Sequence, residues 1–455
     1  MTIFQFSAEY LARQKRLEDA FNLRIPDRVP VAPAVIHYYP TLVKNISNKD
    51  AMYQWDIRLE TIKELTVRHD WDAAPAVGSV GAARPWELMG IQQVKWPGGA
   101  LSDNQPFQWV EKEYMLQSEY DDMLADPNGF ALKTLWPRIA ATMEPLSRLA
   151  QIGASLPLLP LSNAYALPNF IGEMILNLGL QDFLERILKL SREIARNNEL
   201  ATAYNSKMLE AGYPVIVGAN SGCAFDWISS NLRGMRGVAM DMYQVPDKLL
   251  ATIDMLTPLA IRSTIMMTQR SGIKTATLYL HRGSAGFMSD AQFAKFYWPG
   301  LKALVLGLIE AGIRPIIFTE GNYTPRLKYF QELPPRKFVM HYQEVDRKLA
   351  KQMLGDIACF WGNVPSGMMC TGTPEQVEDD VKELIQTFAA NGGLIVAGQV
   401  VARCQVIGSP RLRRQEGRED ESERRRIAVH QSDPVANSKA GASVIETRVL
   451  RHGRE

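Results

Sequence analysis

Residues 281–300 read HRGSAGFMSDAQFAKFYWPG, residues 312–322 read GIRPIIFTEGN, residues 338–346 read FVMHYQEVD, residues 358–377 read ACFWGNVPSGMMCTGTPEQV and residues 392–399 read GGLIVAGQ. Each short apolar run is rich in β-branched and aromatic residues and is followed by a helical pattern. This alternation is typical of repeated βα units around a parallel sheet. Polar residues collect where the strands end, and in a closed (β/α) barrel that end carries the active site. The stretch therefore predicts an α/β fold, a (β/α)8 TIM barrel, and the place of its active site.

Two helices in this stretch carry capping signals. Thr373 can cap a helix that has Pro374 at its first position and Gln376 bonding back to the cap, and Ser289 with Gln292 repeats this pattern. Apolar residues then recur at helical spacing, so both helices are predicted to lie against the outside of the sheet.

The same alternation predicts eight strands, as a closed barrel requires. The predicted strands are residues 29–36, 72–77, 214–219, 275–281, 314–319, 338–342, 359–361 and 394–397. Residues 1–24 are predicted to form an N-terminal helical extension, and residues 25–399 are predicted to form the barrel. A helical insertion is expected at about residues 90–212, between strands 2 and 3, because a structureless loop of that length is uncommon.

The end of the chain has a different composition. Residues 411–426 read RLRRQEGREDESERRR, with few large apolar residues. Mixed charge without an apolar stripe predicts that residues 400–455 form a disordered tail. An aberrant reading frame is the alternative, and the composition leaves both open.

The overall composition is that of an ordinary globular protein, since 46% of the 455 residues are hydrophobic and the formal net charge is +2. This charge gives no electrostatic reason to expect a nucleic-acid partner. The four cysteines have no CxxC spacing, which predicts neither a zinc ribbon nor a disulfide framework. We find no pattern of a signal peptide or membrane span, and we predict a cytoplasmic protein without a membrane partner.

Several separated motifs resemble the uroporphyrinogen decarboxylase superfamily, which includes the corrinoid-dependent methyltransferases. The motifs are Met288-Ser289 followed by Phe293, Tyr297 and Pro299, GNVP at residues 362–365, GTPE at residues 372–375, LRGMRGVAMDMYQVPDKL at residues 232–249 and RIPDRVPV at residues 24–31. They occur in the expected order and cover most of the chain up to Gln399. The resemblance implies a (β/α)8 barrel, and it is much less specific for the reaction.

The resemblance also implies a zinc site, but its usual ligands are absent. Corrinoid-dependent methyltransferases of the superfamily carry a His-x-Cys pair after one strand and a Cys near the last strand, and these residues hold a zinc that activates a thiol. The matching positions here are Phe318 and Glu320, and the last strand ends in Ala397, Gly398 and Gln399. Thiol activation by that route is therefore in doubt.

A different set of polar residues lies at the strand ends. Alternation places Glu320 on the same face as Phe318, where it can bind a metal, act as a general base, or simply accept hydrogen bonds from loop amides. If His281 and His341 also face inward, the three side chains form a His/His/carboxylate set suited to zinc or another divalent ion. Alternatively, each histidine is satisfied by a backbone carbonyl. We predict Glu320 and His341 as catalytic residues, and Glu320, His281 and His341 as metal ligands.

Further residues are candidates for catalysis or substrate binding. Asp72 loosely matches the superfamily aspartate that faces the pyrrole nitrogens, and turn formation is the alternative role. Arg282 is a candidate clamp for a carboxylate or phosphate, or it makes an ordinary salt bridge. The other candidates for substrate binding are His37, Tyr38, Asn220 and Asn363.

Three functions remain open. We predict methyl transfer between a small methylated substrate or thiol carrier and a corrinoid held by a partner protein, because the chain has no DxHxxG cobalamin motif of its own. The second is decarboxylation of uroporphyrinogen, which would rest on Asp72; the arginine-rich run that holds the tetrapyrrole carboxylates in that family is absent. The third is a non-catalytic barrel that binds a tetrapyrrole or another small molecule. No nucleotide cofactor is expected.

Overall fold

The computed structural model describes residues 6–33, 41, 43–75, 82–145, 147, 165, 167–177 and 179–399. This part of the chain has an α/β architecture with helices around a parallel six-stranded sheet, so the α/β part of the predicted fold class is confirmed. A short antiparallel hairpin of β1 (Val94–Lys95) and β2 (Gln108–Trp109) comes first. The sheet follows, with β3 (Ala219–Gly222), β4 (Thr275–Leu280), β5 (Arg314–Asn322), β6 (Val339–Glu344), β7 (Cys359–Trp361) and β8 (Leu394–Ile395).

Each of these six strands pairs in parallel with the next one along the chain, in the order β3-β4-β5-β6-β7-β8. Parallel neighbours need a crossover connection, which is usually a helix, and helices lie between these strands. All six carboxyl ends therefore meet at one edge of the sheet, which is where the predicted polar residues were expected to gather.

Isolated bridges continue the pairing beyond both edges of the sheet. Val31 bridges Val396 next to β8, and Ala74 bridges Val215 ahead of β3. The N–H of Asp72 also donates to the Val31 carbonyl at 2.8 Å. Predicted strands 1 and 2 thus form bridges and not strands in the described part of the chain. Residues 34–36 and 76–77 of those predictions lie outside the described residues.

The third predicted strand, at residues 214–219, was placed too early. The strand is Ala219–Gly222; before it, Val215 bridges Ala74, the Gly218 N–H donates to the Thr275 carbonyl, and the Ile216 carbonyl accepts from the Thr275 hydroxyl. Pro214 has no N–H to donate, and this weakens pairing at the predicted start.

Helices occupy most of the remaining described residues. The α-helices include Ala8–Phe21, Asn48–Tyr53, Trp55–Arg68, Ala83–Met89, Tyr120–Ala125, Pro127–Phe130, Trp136–Ile139, Leu167–Asn177, Leu180–Glu210, Ala224–Trp227, Gly234–Gln244, Pro246–Ser271, Asp290–Gln292, Trp298–Glu310, Leu327–Phe330, Arg347–Leu354, Ser366–Thr371 and Pro374–Phe388. Both predicted capping boxes are confirmed: the Ser289 hydroxyl accepts from the Gln292 N–H at 3.2 Å, and the Thr373 hydroxyl accepts from the Gln376 N–H at 3.3 Å.

The two faces of the sheet have different neighbours. Phe360 of β7 stacks on Phe388 of helix Pro374–Phe388, with ring centroids 3.9 Å apart, so its face packs against the helices. Alternate residues point to the other face. There, Tyr279, Phe318, His341 and Trp361 are paired in register across β4 to β7 and form one aromatic row.

The N-terminal helix Ala8–Phe21 lies at the amino end of the strands. The Phe21 carbonyl accepts a hydrogen bond of 2.9 Å from Arg314, the first residue of β5. Arg13 of the same helix donates to the Gly212 carbonyl, ahead of β3. This helix falls in the predicted N-terminal extension, and it closes the end of the sheet that is opposite to the strand carboxyl ends.

One described helix, Pro246–Ser271, is long and apolar enough to cross a bilayer by length and composition. It packs against β3 and against helix Trp298–Glu310, and it buries Leu249, Ile253 and Ala260. A core helix of a globular protein passes the same test, so the expected absence of a membrane span stays a prediction.

Candidate functional site

A row of polar residues follows the aromatic row at the carboxyl edge of the sheet. His281, Glu320, Gln343 and Asn363 each lie two positions after a member of the aromatic row, and contacts of His281 with Glu320 and of Asn363 with the Gln343 carbonyl bring them together. The row stands where β4, β5, β6 and β7 end. This is the place at which the sequence predicted the site.

His281 and Glu320 are in direct contact. The imidazole Nδ1 lies 2.8 Å from the Glu320 carboxylate, and the two side chains are 40% and 39% exposed. Burial lowers the pKa of His281, but the hydrogen bond to Glu320 and the negative charges of Asp226 and Glu320 outweigh it, so the pKa is raised. An imidazole with one nitrogen on a carboxylate keeps the other nitrogen available for a substrate. The pair can therefore hold and deliver a proton at the mouth of the site.

Sequence reasoning missed Asp226, the carboxylate behind this pair. Asp226 is 1% exposed, and it accepts from the main-chain N–H of His281 at 3.1 Å and of Arg282 at 2.9 Å. It also accepts from the Tyr297 hydroxyl at 2.6 Å and the Cys223 thiol at 3.4 Å. Burial raises the pKa of Asp226, although its donors and His281 oppose this shift. Its sequence position just after β3 was the available signal.

Arg282 already has a carboxylate partner. Its guanidinium donates to Glu111 at 2.6 Å, and Glu111 belongs to the predicted insertion, after β2. The same guanidinium lies over the Phe287 ring, 5.6 Å from its centroid. A substrate anion would have to displace Glu111, so the arrangement favours the salt-bridge alternative over the predicted clamp.

His341 has a different environment from His281. It is 4% exposed, stacks on Trp361 at 5.0 Å between centroids, and meets the edge of Phe318 at 4.9 Å. Burial lowers its pKa to about 3, against the opposing effect of a backbone hydrogen bond at Gly398. A neutral imidazole below the mouth cannot supply a proton near pH 7.

The predicted metal set of His281, His341 and Glu320 is not assembled. In the part of the chain that the structure describes, no three His, Cys, Asp or Glu side chains form a group that could hold a metal ion. His281 bonds to Glu320, but His341 lies one row deeper between aromatic rings. Strand alternation in a sequence does not show how far along the strand, and therefore how deeply, a side chain lies.

Asp72, predicted as catalytic, is part of a buried ion-pair network at the other end of the sheet. It is fully buried and accepts from Arg16 at 2.6 Å, from Arg28 at 2.6 Å and from the Val31 N–H at 2.8 Å. Arg16 belongs to helix Ala8–Phe21, which lies at the amino end of the strands. With both oxygens engaged there, Asp72 has a structural role and does not face the mouth.

The remaining candidates have mixed positions. Asn220 lies in β3 opposite Thr277 and is half-buried. Asn363 is buried; its side-chain oxygen accepts from Arg347 at 2.9 Å, and its amide donates to the Gln343 carbonyl at 3.3 Å. His37 and Tyr38 lie outside the described residues.

A cavity of about 360 Å³ lies beside the polar row, where the chain leaves β6 and β7. Its lining includes Arg347, which forms a two-point ion pair with Asp380 at 2.9 Å for both bonds. Asp346, which also lines the cavity, caps helix Arg347–Leu354 by accepting from the Leu349 N–H at 2.9 Å. Arg347, Asp380 and Asp346 thus have partners within the protein.

Comparison with known proteins gives a similarity of fold. No protein-family model matches the chain, and no curated protein sequence matches it. The structure is similar to that of a methyltransferase from Methanosarcina mazei, with a TM-score of 0.52 and 15% sequence identity over 85% of this chain and 92% of that chain. At this identity the similarity concerns the fold alone.

Proposed function

We propose that this chain is a methyltransferase of the uroporphyrinogen decarboxylase superfamily. It would move a methyl group between a small methylated substrate or thiol carrier and a corrinoid held by a partner protein. The observation that carries the proposal is the contact of His281 with Glu320 at the carboxyl ends of β4 and β5. The order of the superfamily motifs and the fold shared with a methyltransferase support it.

The proposal includes a closed (β/α)8 barrel. The bridges Val31–Val396 and Ala74–Val215 and the hydrogen bond from Asp72 to Val31 support it, because they join the two edges of the six-stranded sheet through the segments predicted as strands 1 and 2. In such a barrel, the polar row would stand at the mouth that carries active sites.

His281 and Glu320 would handle the proton. When a methyl group leaves an oxygen or nitrogen atom, the electrons of the broken bond stay on that atom, which then needs a proton. His281 can donate it from Nε2 while Glu320 holds Nδ1 and stabilises the charged imidazolium. The corrinoid of the partner would supply the methyl acceptor. This scheme assigns the proton transfer to His281 and Glu320 and gives no step to a metal.

The charges near the mouth favour a small neutral substrate over a tetrapyrrole. Arg282 is paired with Glu111, and Arg347 is paired with Asp380. A substrate with many carboxylates needs free, fixed cations, since each buried carboxylate must be paired. Asp72, on which decarboxylation would rest, is held by arginines at the opposite end of the sheet.

A methyl-transfer assay tests this function. Purified protein would be mixed with free cob(I)alamin and, in separate reactions, with methanol, trimethylamine or dimethyl sulfide, and formation of methylcobalamin would be followed by absorbance. We expect transfer from at least one donor, or from methylcobalamin to 2-mercaptoethanol in the reverse direction. His281→Gln should slow it by about 10²-fold or more.

Glu332→Gln is the matched control for this assay, because Glu332 forms an exposed ion pair with Lys302 outside the polar row. Its rate should equal that of the unmodified protein. Absence of transfer with all donors in both directions would overturn the proposal. Release of carbon dioxide from uroporphyrinogen would replace it with the decarboxylase alternative, and binding without turnover would replace it with the non-catalytic one.

A further inference from the structure

Asp226 holds the backbone at the point where β4 ends and the site begins. It is 1% exposed, and its hydrogen bonds go to Cys223, Tyr297 and the main chain, not to Glu320 or the His281 ring. Its bonds go to the main-chain N–H groups of His281 and Arg282, and one carboxylate thus fixes two successive residues of the loop. Such bonds to an ionised acceptor are stronger than neutral ones.

Two π-helical turns flank this carboxylate. The segment Ile228–Arg233 begins two residues after Asp226, and the segment Phe293–Tyr297 ends at the tyrosine that donates to it. π-helical turns are rare and are frequently found at functional sites; a third one in the described residues, Ala131–Leu135, lies elsewhere. Here the second turn delivers the Tyr297 hydroxyl to the carboxylate at 2.6 Å.

The loop after His281 is tightly packed at Gly283. A Cβ atom at Gly283 would lie 2.4 Å from the Tyr323 hydroxyl oxygen and 2.9 Å from a ring carbon of Tyr297. The Gly283 carbonyl also accepts from the buried Arg326 at 3.2 Å. The loop therefore rests directly on two buried tyrosines, and its conformation is set from below as well as by the carboxylate.

We propose that Asp226 is a positioning residue of the site. By accepting both N–H groups of residues 281 and 282, it fixes the direction in which the His281 imidazole leaves β4 and keeps that imidazole against Glu320. Its negative charge also favours the protonated imidazole. The consequence for turnover rests on the proposed function, but the effect on His281 does not.

Asp226→Asn is the direct test. The two main-chain N–H groups donate to different oxygens of Asp226. Asparagine has only one acceptor oxygen, so one of these N–H groups would face the asparagine NH2 group, which is also a donor. Its neutral side chain also removes the negative charge near His281. The groups that face the His281 ring or its anchor are Glu320, Asp226, Arg282, Tyr297, Cys223 and Tyr323.

The readout is the titration of His281 by NMR in protein labelled at histidine, with the signal assigned by its loss in His281→Gln. In Asp226→Asn, we expect the pKa of His281 to fall by about one unit, at the low end of the range for a nearby opposite charge. A folded Asp226→Asn protein in which His281 titrates as before would overturn the proposal.

Asp241→Asn is the matched control, because Asp241 is also fully buried and hydrogen-bonded to Arg233 and Tyr120, but it makes no bond to the loop at residues 281–283. It should leave the His281 titration unchanged. A shift equal to that of Asp226→Asn would mean that any buried charge acts in this way, and would also overturn the proposal.

A measurement on the unmodified protein covers the case in which Asp226→Asn does not fold. The amide protons of His281 and Arg282 should exchange with solvent at least ten-fold more slowly than that of Ser284, which lies beyond the anchored residues. Equal exchange would overturn the proposal.

If methyl transfer is observed, Asp226→Asn should lower kcat by up to about 10²-fold with less effect on KM. If it is not observed, the titration and exchange results still decide the role of Asp226.

Discussion

The pKa values of two histidines near the carboxyl edge of the sheet are shifted in opposite directions. His281 directly follows β4, lies half-exposed against Glu320, and has a raised pKa. His341 lies in β6, 4% exposed between Phe318 and Trp361, and its pKa is lowered to about 3. His281 is the first residue after β4 and His341 lies in the middle of β6, and both belong to βα units of the same parallel sheet.

The difference lies in depth. The polar row lies two residues beyond the aromatic row along the strands. His341, in the aromatic row, is enclosed by apolar rings, whereas His281, in the polar row, contacts a carboxylate and solvent. Desolvation disfavours the imidazolium, and an adjacent carboxylate favours it. We infer that the polar row is the reactive layer of the site, and that the aromatic row is its floor.

The largest expected effect is the loss of folding stability in acid that results from His341 in the aromatic row. Folding favours the neutral form of the His341 imidazole. In the unfolded chain, His341 takes up a proton when the pH falls below the ordinary histidine pKa of about 6.5. Its contribution to stability is therefore present above pH 6.5 and is lost as pH falls toward 3. Between pH 7 and pH 4, this loss should be on the order of 3 kcal/mol.

Urea unfolding of the unmodified protein and of His341→Phe at pH 7, 5 and 4 measures this effect. Phenylalanine keeps a ring against Trp361 but does not titrate, so the variant should lose less stability in acid. The variant also removes the hydrogen bond at Gly398, but that penalty is the same at each pH. Equal losses for the two proteins would show that His341 is not held neutral by burial.

The sequence predicted the parts of this arrangement that depend on local order. The alternation of strands and helices and both capping boxes follow from residues close together in the chain. The contact of His281 with Glu320 was also within reach, because the strands that end at these residues are consecutive and parallel.

The parts that depend on distant residues could not be predicted. Asp72 resembles a catalytic residue until Arg16, 56 positions earlier, is found on its carboxylate. The role of Asp226 depends on Tyr297, 71 positions later, and on a π-helical turn that no local pattern indicated. The depth of His341 depends on rings from two neighbouring strands.

An intermediate effect concerns the polar row. Glu320→Gln removes the negative charge and the charge-assisted hydrogen bond on His281 Nδ1, so the pKa of His281 should fall by roughly one unit. NMR titration of labelled histidine measures the shift, and Glu332→Gln should leave it unchanged. An unaltered His281 titration in Glu320→Gln would mean that the two side chains do not interact in solution. Only the lowered pKa of His341 would then distinguish the aromatic row from the polar row.

The smallest expected effect is the stability that the polar pair contributes. Since the pKa of His281 is raised on folding, its contribution is fully present below the unfolded value of about 6.5 and is lost as pH rises through the folded value. Both side chains are more than a third exposed, so screening limits it to about 0.5 kcal/mol. The advantage of the unmodified protein over His281→Gln in urea unfolding should shrink from pH 6 to pH 9, and 1 M salt should reduce it at pH 6. His341 loses its contribution in acid, so the two histidines should give pH dependences of opposite sign. A His281 contribution that also vanished on acidification would place both imidazoles in the same apolar layer.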